Sequence, residues 1–205
     1  QSSEMGPVYS PEEVSALAEV AHANNLALHM DGARLSNAAA SLDVPVRAFT
    51  VDAGVDLVSF GLTKNGAMAA ESVIVLNGDR VQGVDFLRKT SMQLASKMRF
   101  LSAQFVAMLT DDLWLRSAGH ANAMASRLRD GVADLSGVTI TQSVDANAVF
   151  VLLPEQVASR LQERFHFYTW DQSTGEVRWM CAWDTTESDV DDFIAAVRGE
   201  IASSA

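Results

Sequence analysis

Asp31 and Lys64 carry opposite charges, and each comes just after a short apolar run. Asp31 follows Leu26-Ala27-Leu28-His29-Met30, and Lys64 follows residues 56–60 through Gly61-Leu62-Thr63. Runs of this kind read as strands buried on both faces. In open α/β sheets ligands gather at the carboxyl ends of strands, where loops present polar groups without breaking the ladder. Lys64 lies in a small, polar stretch, Ser59-Phe60-Gly61-Leu62-Thr63-Lys64-Asn65-Gly66-Ala67, which lets a ligand approach the backbone closely. A lysine enclosed there loses part of its ammonium pKa to desolvation and becomes an amine able to trap a carbonyl. An aldehyde cofactor answers that need. An aspartate on a neighbouring strand end would keep a pyridine nitrogen protonated, the arrangement in which pyridoxal phosphate acts as an electron sink. Strand-end Asp and Lys are also common, so plainer readings stand beside this one. In those, Lys64 is a surface lysine, and Asp31 caps the following helix with Arg34 as its ion-pair partner.

The elements that must position these residues follow from hydrophobic period and caps. Ser10-Pro11-Glu12-Glu13 opens a helix, with Ser10 as N-cap, Pro11 in the first turn and Glu13 three residues after the cap. Val14, Leu17, Ala18 and Ala21 give it a helical period up to about Asn24. After the first strand (26–30) come helical segments over 34–42 and 46–53, a strand over 56–60, and another over 72–76. Strands separated by helices imply crossovers and a mainly parallel sheet with helices outside. The short connection between 60 and 72 leaves that last pair open to an antiparallel arrangement. Residues 79–135 read as almost wholly helical, with breaks near 110–112 and 117–119. A strand over 148–153, a helix over 155–164, a strand over 177–183 and a helix starting near 186–189 complete an α+β unit. In the last strand Val177, Trp179, Cys181 and Trp183 share one face, and Arg178 and Met180 the other. The expected organisation is a large α/β domain over 1–110 and a smaller α+β domain over 111–205.

Other polar residues invite bland readings. His22, His29 and Asp31 sit on different elements without ligand spacing, so no metal is expected. His120 and His166 read as structural or exposed, and Trp170, Trp179 and Trp183 as packing. Cys181 alternates with tryptophans and reads as core rather than as a nucleophile. Arg178 on a sheet face has a solvated reading as well.

The 205 residues are 48% hydrophobic and 20% charged with four prolines, the composition of a folded chain and not of a disordered tail. Fifteen basic against 26 acidic residues give a net charge of −11, which repels nucleic-acid backbones and anionic lipid surfaces. A single cysteine cannot staple the chain to itself, and no secretory leader or 18-residue apolar run is present, which points to a cytoplasmic setting. The chain opens at Gln1 without an initiator Met and passes through a turn-like Gly6-Pro7, which fits either a native N-terminus or a piece of a longer polypeptide.

The string Leu28-His29-Met30-Asp31-Gly32-Ala33-Arg34-Leu35-Ser36-Asn37-Ala38, followed by Asp56-Leu57-Val58-Ser59-Phe60-Gly61-Leu62-Thr63-Lys64, resembles the low-specificity threonine aldolases of the β-eliminating lyase group. The resemblance extends weakly through Met98-Arg99 and Glu176-Val177-Arg178 to the terminal helix. It implies a fold type I, aspartate-aminotransferase-like architecture and pyridoxal 5'-phosphate as cofactor. Lys64 would carry the cofactor covalently, Asp31 would face its pyridine nitrogen, and Arg34 and Arg178 would grip the substrate's α-carboxylate. Arg99 would lie near the cofactor or in a neighbouring subunit's site. The implied reaction is retro-aldol cleavage of L-threonine-like β-hydroxy-α-amino acids to glycine and an aldehyde, in a homodimer or a homotetramer built as a dimer of dimers. β-Elimination or aminotransfer on the same scaffold, and a non-catalytic fragment, are the alternatives.

Two segments depart from the family pattern. Residues 65–71 are poorer in glycine and proline, and Leu94-Ala95-Ser96-Lys97-Met98-Arg99-Phe100 lacks the usual glycines and following Gln. The phosphate-binding loop, the residue that stacks on the cofactor ring and the histidines near the substrate hydroxyl belong to an upstream half. A chain without that half is expected to bind cofactor poorly.

Overall fold

A computed structural model describes Gln1 and residues 4–204; Ser2, Ser3 and Ala205 lie outside the described residues. Contacts divide it into two compact units, one of Gln1 and Val8–Arg116, the other of residues 4–7 and 117–204.

In the first unit, α1 (Pro11–Ala23) opens on a complete capping box. The Ser10 hydroxyl accepts the Glu13 N–H at 3.2 Å, and the Glu13 carboxylate accepts the Ser10 N–H at 2.8 Å. β1 (His29–Gly32) begins later than its apolar run, because the Leu28 N–H is taken by the Asp56 carboxylate at 2.8 Å instead of by a strand partner. Asp31 therefore lies within the strand rather than after it. α2 (Leu35–Leu42) follows with Arg34 at its N-cap. The helix expected over 46–53 shrinks to a 3-10 turn, Val46–Phe49, because Thr50 leaves helical dihedrals and the Asp52 N–H turns back to the Arg47 carbonyl at 2.8 Å.

β2 (Leu57–Gly61) pairs parallel with β1, in a register that sets His29 beside Leu57 and Asp31 beside Ser59. β3 (Glu71–Val75) returns antiparallel, as the short connection allows. The sheet is thus mixed, ordered β1-β2-β3. Met30, Val58 and Phe60 enter a core with Val14, Leu35, Phe49 and Leu62, and Phe60 meets the rings of Phe105 and Trp114 at 5.9 and 6.1 Å. His29 and Asp31 take the alternate, exposed face. The helical stretch resolves into α3 (Val84–Thr90), α4 (Met98–Leu109) and α5 (Leu113–Val132). The break at 110–112 is present, with Asp111 and Asp112 at φ 51° and 54°. The break expected at 117–119 is absent: α5 runs through Gly119, and the neighbouring Ala118 and Ala121 are buried, so packing overrides glycine's poor helix propensity.

The second unit adds β4 (Thr139–Ile140), β5 (Ala148–Leu152), α6 (Glu155–Gln162), β6 (Tyr168–Asp171), β7 (Glu176–Met180) and α7 (Glu187–Ala202) to its share of α5. Its sheet is antiparallel throughout, ordered β4-β5-β7-β6. Val149, Val151, Val177 and Trp179 point into a core closed by Leu128, Leu161, Val190 and Val197, with Phe193 edge-on to Trp179 at 4.9 Å. β7 stops at Met180, short of residue 183. The Cys181 N–H goes to the Asn147 carbonyl, and the Ala182 N–H goes to the Thr185 hydroxyl, which turns the chain. Trp183 consequently leaves the face of Val177, Trp179 and Cys181 and is 47% exposed, so it is not a core residue. α7 starts where expected, on a Thr186–Asp189 capping box.

Candidate functional site

The parallel pairing of β1 and β2 brings the ends of both strands to one edge of the sheet. Asp31, the third residue of β1, is exposed, and one carboxylate oxygen accepts the Ala33 N–H at 2.9 Å. This short turn follows the strand; Asp31 does not cap α2, whose N-cap residue is Arg34 and whose first turn carries no side-chain capping hydrogen bond. Gly32, buried beside it, has no room for a side chain: a Cβ would lie 2.7 Å from the Ser59 carbonyl oxygen and 3.0 Å from Val58 Cγ1. The close approach of the two strands under Asp31 therefore requires glycine. On the same face His29 Nε2 and Ser59 Oγ lie 2.7 Å apart.

Lys64 is the middle residue of a 3-10 turn, Thr63–Asn65, that leaves β2. Every neighbour of Lys64 in this turn is tied down. Leu62 is fully buried, its N–H donates to the Ala70 carbonyl at 2.8 Å, and its own carbonyl accepts from Asn65 and Ala67. The Thr63 hydroxyl accepts the Ala70 N–H at 3.0 Å, buried Asn65 donates to the Trp114 carbonyl at 2.8 Å, and Gly66 supplies a left-handed φ of 108°. The backbone under Lys64 is held while its side chain is exposed, so the burial expected around the lysine is not found among the described residues.

Arg34, half-buried, lies two residues past β1 at the same edge. Arg99, in the first turn of α4, is exposed with its guanidinium over the ring of Phe100 at 4.8 Å, a contact within its own helix. α4 is stitched to the lysine loop by Gln104, which accepts the Ala69 N–H at 3.0 Å, a tie the sequence reading did not foresee. Arg178, in the second unit, lies on β7 beside Phe150 and Tyr168. Its guanidinium stacks on Trp170 at 4.2 Å, and its Nε is buried with no hydrogen-bond partner among the described residues. Burial lowers the guanidinium's pKa, opposed by the Tyr168 oxygen.

The remaining candidates have other partners. His22 is 2.8 Å from the carboxylate of Asp56, which is 1% exposed and also accepts from Leu28 N–H and Asn77 at 2.8 Å each. His22, His29 and Asp31 therefore do not converge, and His120 binds the Thr185 carbonyl. Burial pushes the Cys181 thiol up to about 12, the behaviour of a core cysteine. Asp56 was missed as an organising residue, although a carboxylate opening an otherwise apolar strand is a signal of buried pairing.

In the first unit, an exposed primary amine on a fixed turn and a carboxylate on the adjacent parallel strand suit a pyridine aldehyde; in the second, an arginine Nε that is buried and lacks a hydrogen-bond partner among the described residues suits a carboxylate. A threonine aldolase of Leishmania major superposes with a TM-score of 0.87 at 26% identity, over 97% of this chain and 58% of that one. The fold is accordingly the aspartate-aminotransferase-like fold type I of pyridoxal-phosphate enzymes. The pattern of the Beta-eliminating lyase family matches residues 1–156, and the chain belongs to that family. It is 43% identical, over 97% of its length, to a low specificity L-threonine aldolase of Pseudomonas sp. (strain NCIMB 10558). It is 45% identical, over 90% of its length, to one of Pseudomonas aeruginosa. The chain spans 57% and 54% of those two relatives, about half of their length. Among the described residues no helix is long and apolar enough to cross a membrane.

Proposed function

We propose that the polypeptide to which this chain belongs cleaves L-threonine-like β-hydroxy-α-amino acids to glycine and an aldehyde. The observation that carries the reading is the placement of Asp31 and Lys64 at the shared carboxyl edge of two parallel strands, in a chain 43% identical to a low specificity L-threonine aldolase. Pyridoxal 5'-phosphate, when bound, supplies an aldehyde for the lysine and an electron sink for the charge left when the Cα–Cβ bond breaks. Lys64 would hold it through Nζ, and Asp31 would hold a proton on the pyridine nitrogen. An exposed carboxylate with one oxygen already fixed by Ala33 N–H is oriented for that task at little cost. Arg34 and Arg178 take the substrate's carboxylate, for which a planar guanidinium offers two parallel donors. Arg99 serves the cofactor or a neighbouring subunit's site in a homodimer or a dimer of dimers. A cytoplasmic enzyme with net charge −11 has a small amino acid as its partner, and neither nucleic acid nor membrane.

The family to which the chain belongs keeps β-elimination as a second reading. Product analysis of the full-length enzyme with L-threonine separates them. Equimolar glycine and acetaldehyde are expected; a 2-oxo acid with ammonia would overturn the aldolase reading in favour of elimination.

A further inference from the structure

We infer that Trp170 is a positioning residue for substrate recognition: its ring face holds the Arg178 guanidinium flat and unshared, ready for a carboxylate. The inference rests on the reading of Arg178 as the α-carboxylate anchor. Arg178 emerges from β7 between Phe150 on β5 and Tyr168 on β6, so aromatic neighbours flank it within its own sheet. Its guanidinium carbon lies 4.2 Å from the centre of the Trp170 ring. That ring is itself fixed, since Phe150, 1% exposed, meets it edge-on at 5.6 Å and 80°.

What distinguishes this arginine is an open donor inside the fold. Among the described residues Arg99 and Arg164 also lie over aromatic rings without an ion pair, but Arg178 is the arginine that combines such a contact with a buried, unpartnered nitrogen. Its Nε is buried with no hydrogen-bond partner among the described residues, which costs free energy until an acceptor arrives. Stacking on an aromatic face orients the fork without occupying any of its N–H donors, whereas a carboxylate neighbour would consume them. Trp170 thus supplies orientation and Arg178 supplies the donors.

The test uses the full-length enzyme, with glycine affinity from calorimetry and KM and kcat for L-threonine. Trp170→Leu keeps bulk but removes the π face, and Trp170→Phe keeps a ring. The expected result is a rise of about 10-fold in glycine Kd and in KM for Trp170→Leu with kcat nearly unchanged, and recovery to within about 3-fold of wild type in Trp170→Phe. Wild-type glycine affinity in Trp170→Leu, or equal losses in the Leu and Phe variants, would overturn the inference. Arg178→Lys separates the two levels. If it weakens glycine binding while Trp170→Leu does not, the role of Trp170 alone falls; if it binds glycine as wild type does, the anchor reading falls and takes the inference with it.

Discussion

The β1–β2 pair carries an aspartate near each end, and the two are built in opposite ways. At the amino end Asp56 is 1% exposed and accepts from Leu28 N–H, His22 and Asn77, with Arg80 at 3.9 Å. At the carboxyl end Asp31 is exposed and anchored at one oxygen by Ala33 N–H. A buried carboxylate that accepts three hydrogen bonds is a structural joint, here tying α1, the start of β1 and the turn after β3 to the start of β2. An exposed carboxylate fixed at one oxygen is oriented and still able to meet a ligand. Identical chemistry on one strand pair thus divides into a carboxylate buried among donors and a carboxylate left open to solvent, the one proposed to meet the cofactor.

The largest effect expected is at the open, carboxyl end. Lys64→Ala should lower aldol cleavage by at least ~1000-fold, since the covalent attachment point is lost. Its melting temperature should stay near wild type, because the exposed side chain buries little. A large drop in thermal stability would place Lys64 among the structural residues instead. Asp31→Ala should cost on the order of 100-fold or more in kcat/KM with a change in stability below about 1 kcal/mol, measured by urea unfolding. Equal activity in this variant would erase the contrast with Asp56.

At the buried, amino end the balance reverses. Asp56→Ala leaves the Leu28 N–H and the His22 ring without their buried acceptor and should destabilise by about 3 kcal/mol. Burial by itself would raise the Asp56 pKa, but the hydrogen bonds from Leu28, His22 and Asn77 and the charge of His22 together bring it below its ordinary value of 3.8. A depressed folded-state pKa stabilises at pH above the unfolded value and loses that contribution as pH falls through the folded one. The stability gap between wild type and Asp56→Asn should therefore narrow as pH falls below about 4. A gap that widens on acidification would contradict the assignment. The smallest expected effect is at Gly32→Ala, where the Cβ meets the Ser59 carbonyl and overpacking should cost about 1–3 kcal/mol, read from the denaturation midpoint.

Asp31 and Lys64 could be read as candidates because each stands in a local string whose residue types constrain it, and the strand-end placement of the pair follows from the parallel register of β1 and β2. The sequence made α1 and α7 legible because Ser10 with Glu13 and Thr186 with Asp189 carry cap signals within four residues. What escaped it depended on partners far along the chain. The late start of β1 is set by Asp56, 28 residues after Leu28, and the early end of β7 by Asn147, 34 residues before Cys181. β4, two residues long, and β6 exist through pairing with β5 and β7 and have little periodic pattern of their own. Continuity of α5 through Gly119 is likewise a packing outcome. The stack of Trp170 on Arg178 joins two strands eight residues apart, and neither residue type announces the other.

Borohydride reduction of the full-length enzyme, followed by peptide mass mapping, tests the central claim most directly. The account predicts a pyridoxyl adduct on Lys64 and on no other lysine. An adduct on Lys89 or Lys97 with Lys64 unmodified, or no adduct in an enzyme that still cleaves L-threonine, would contradict it.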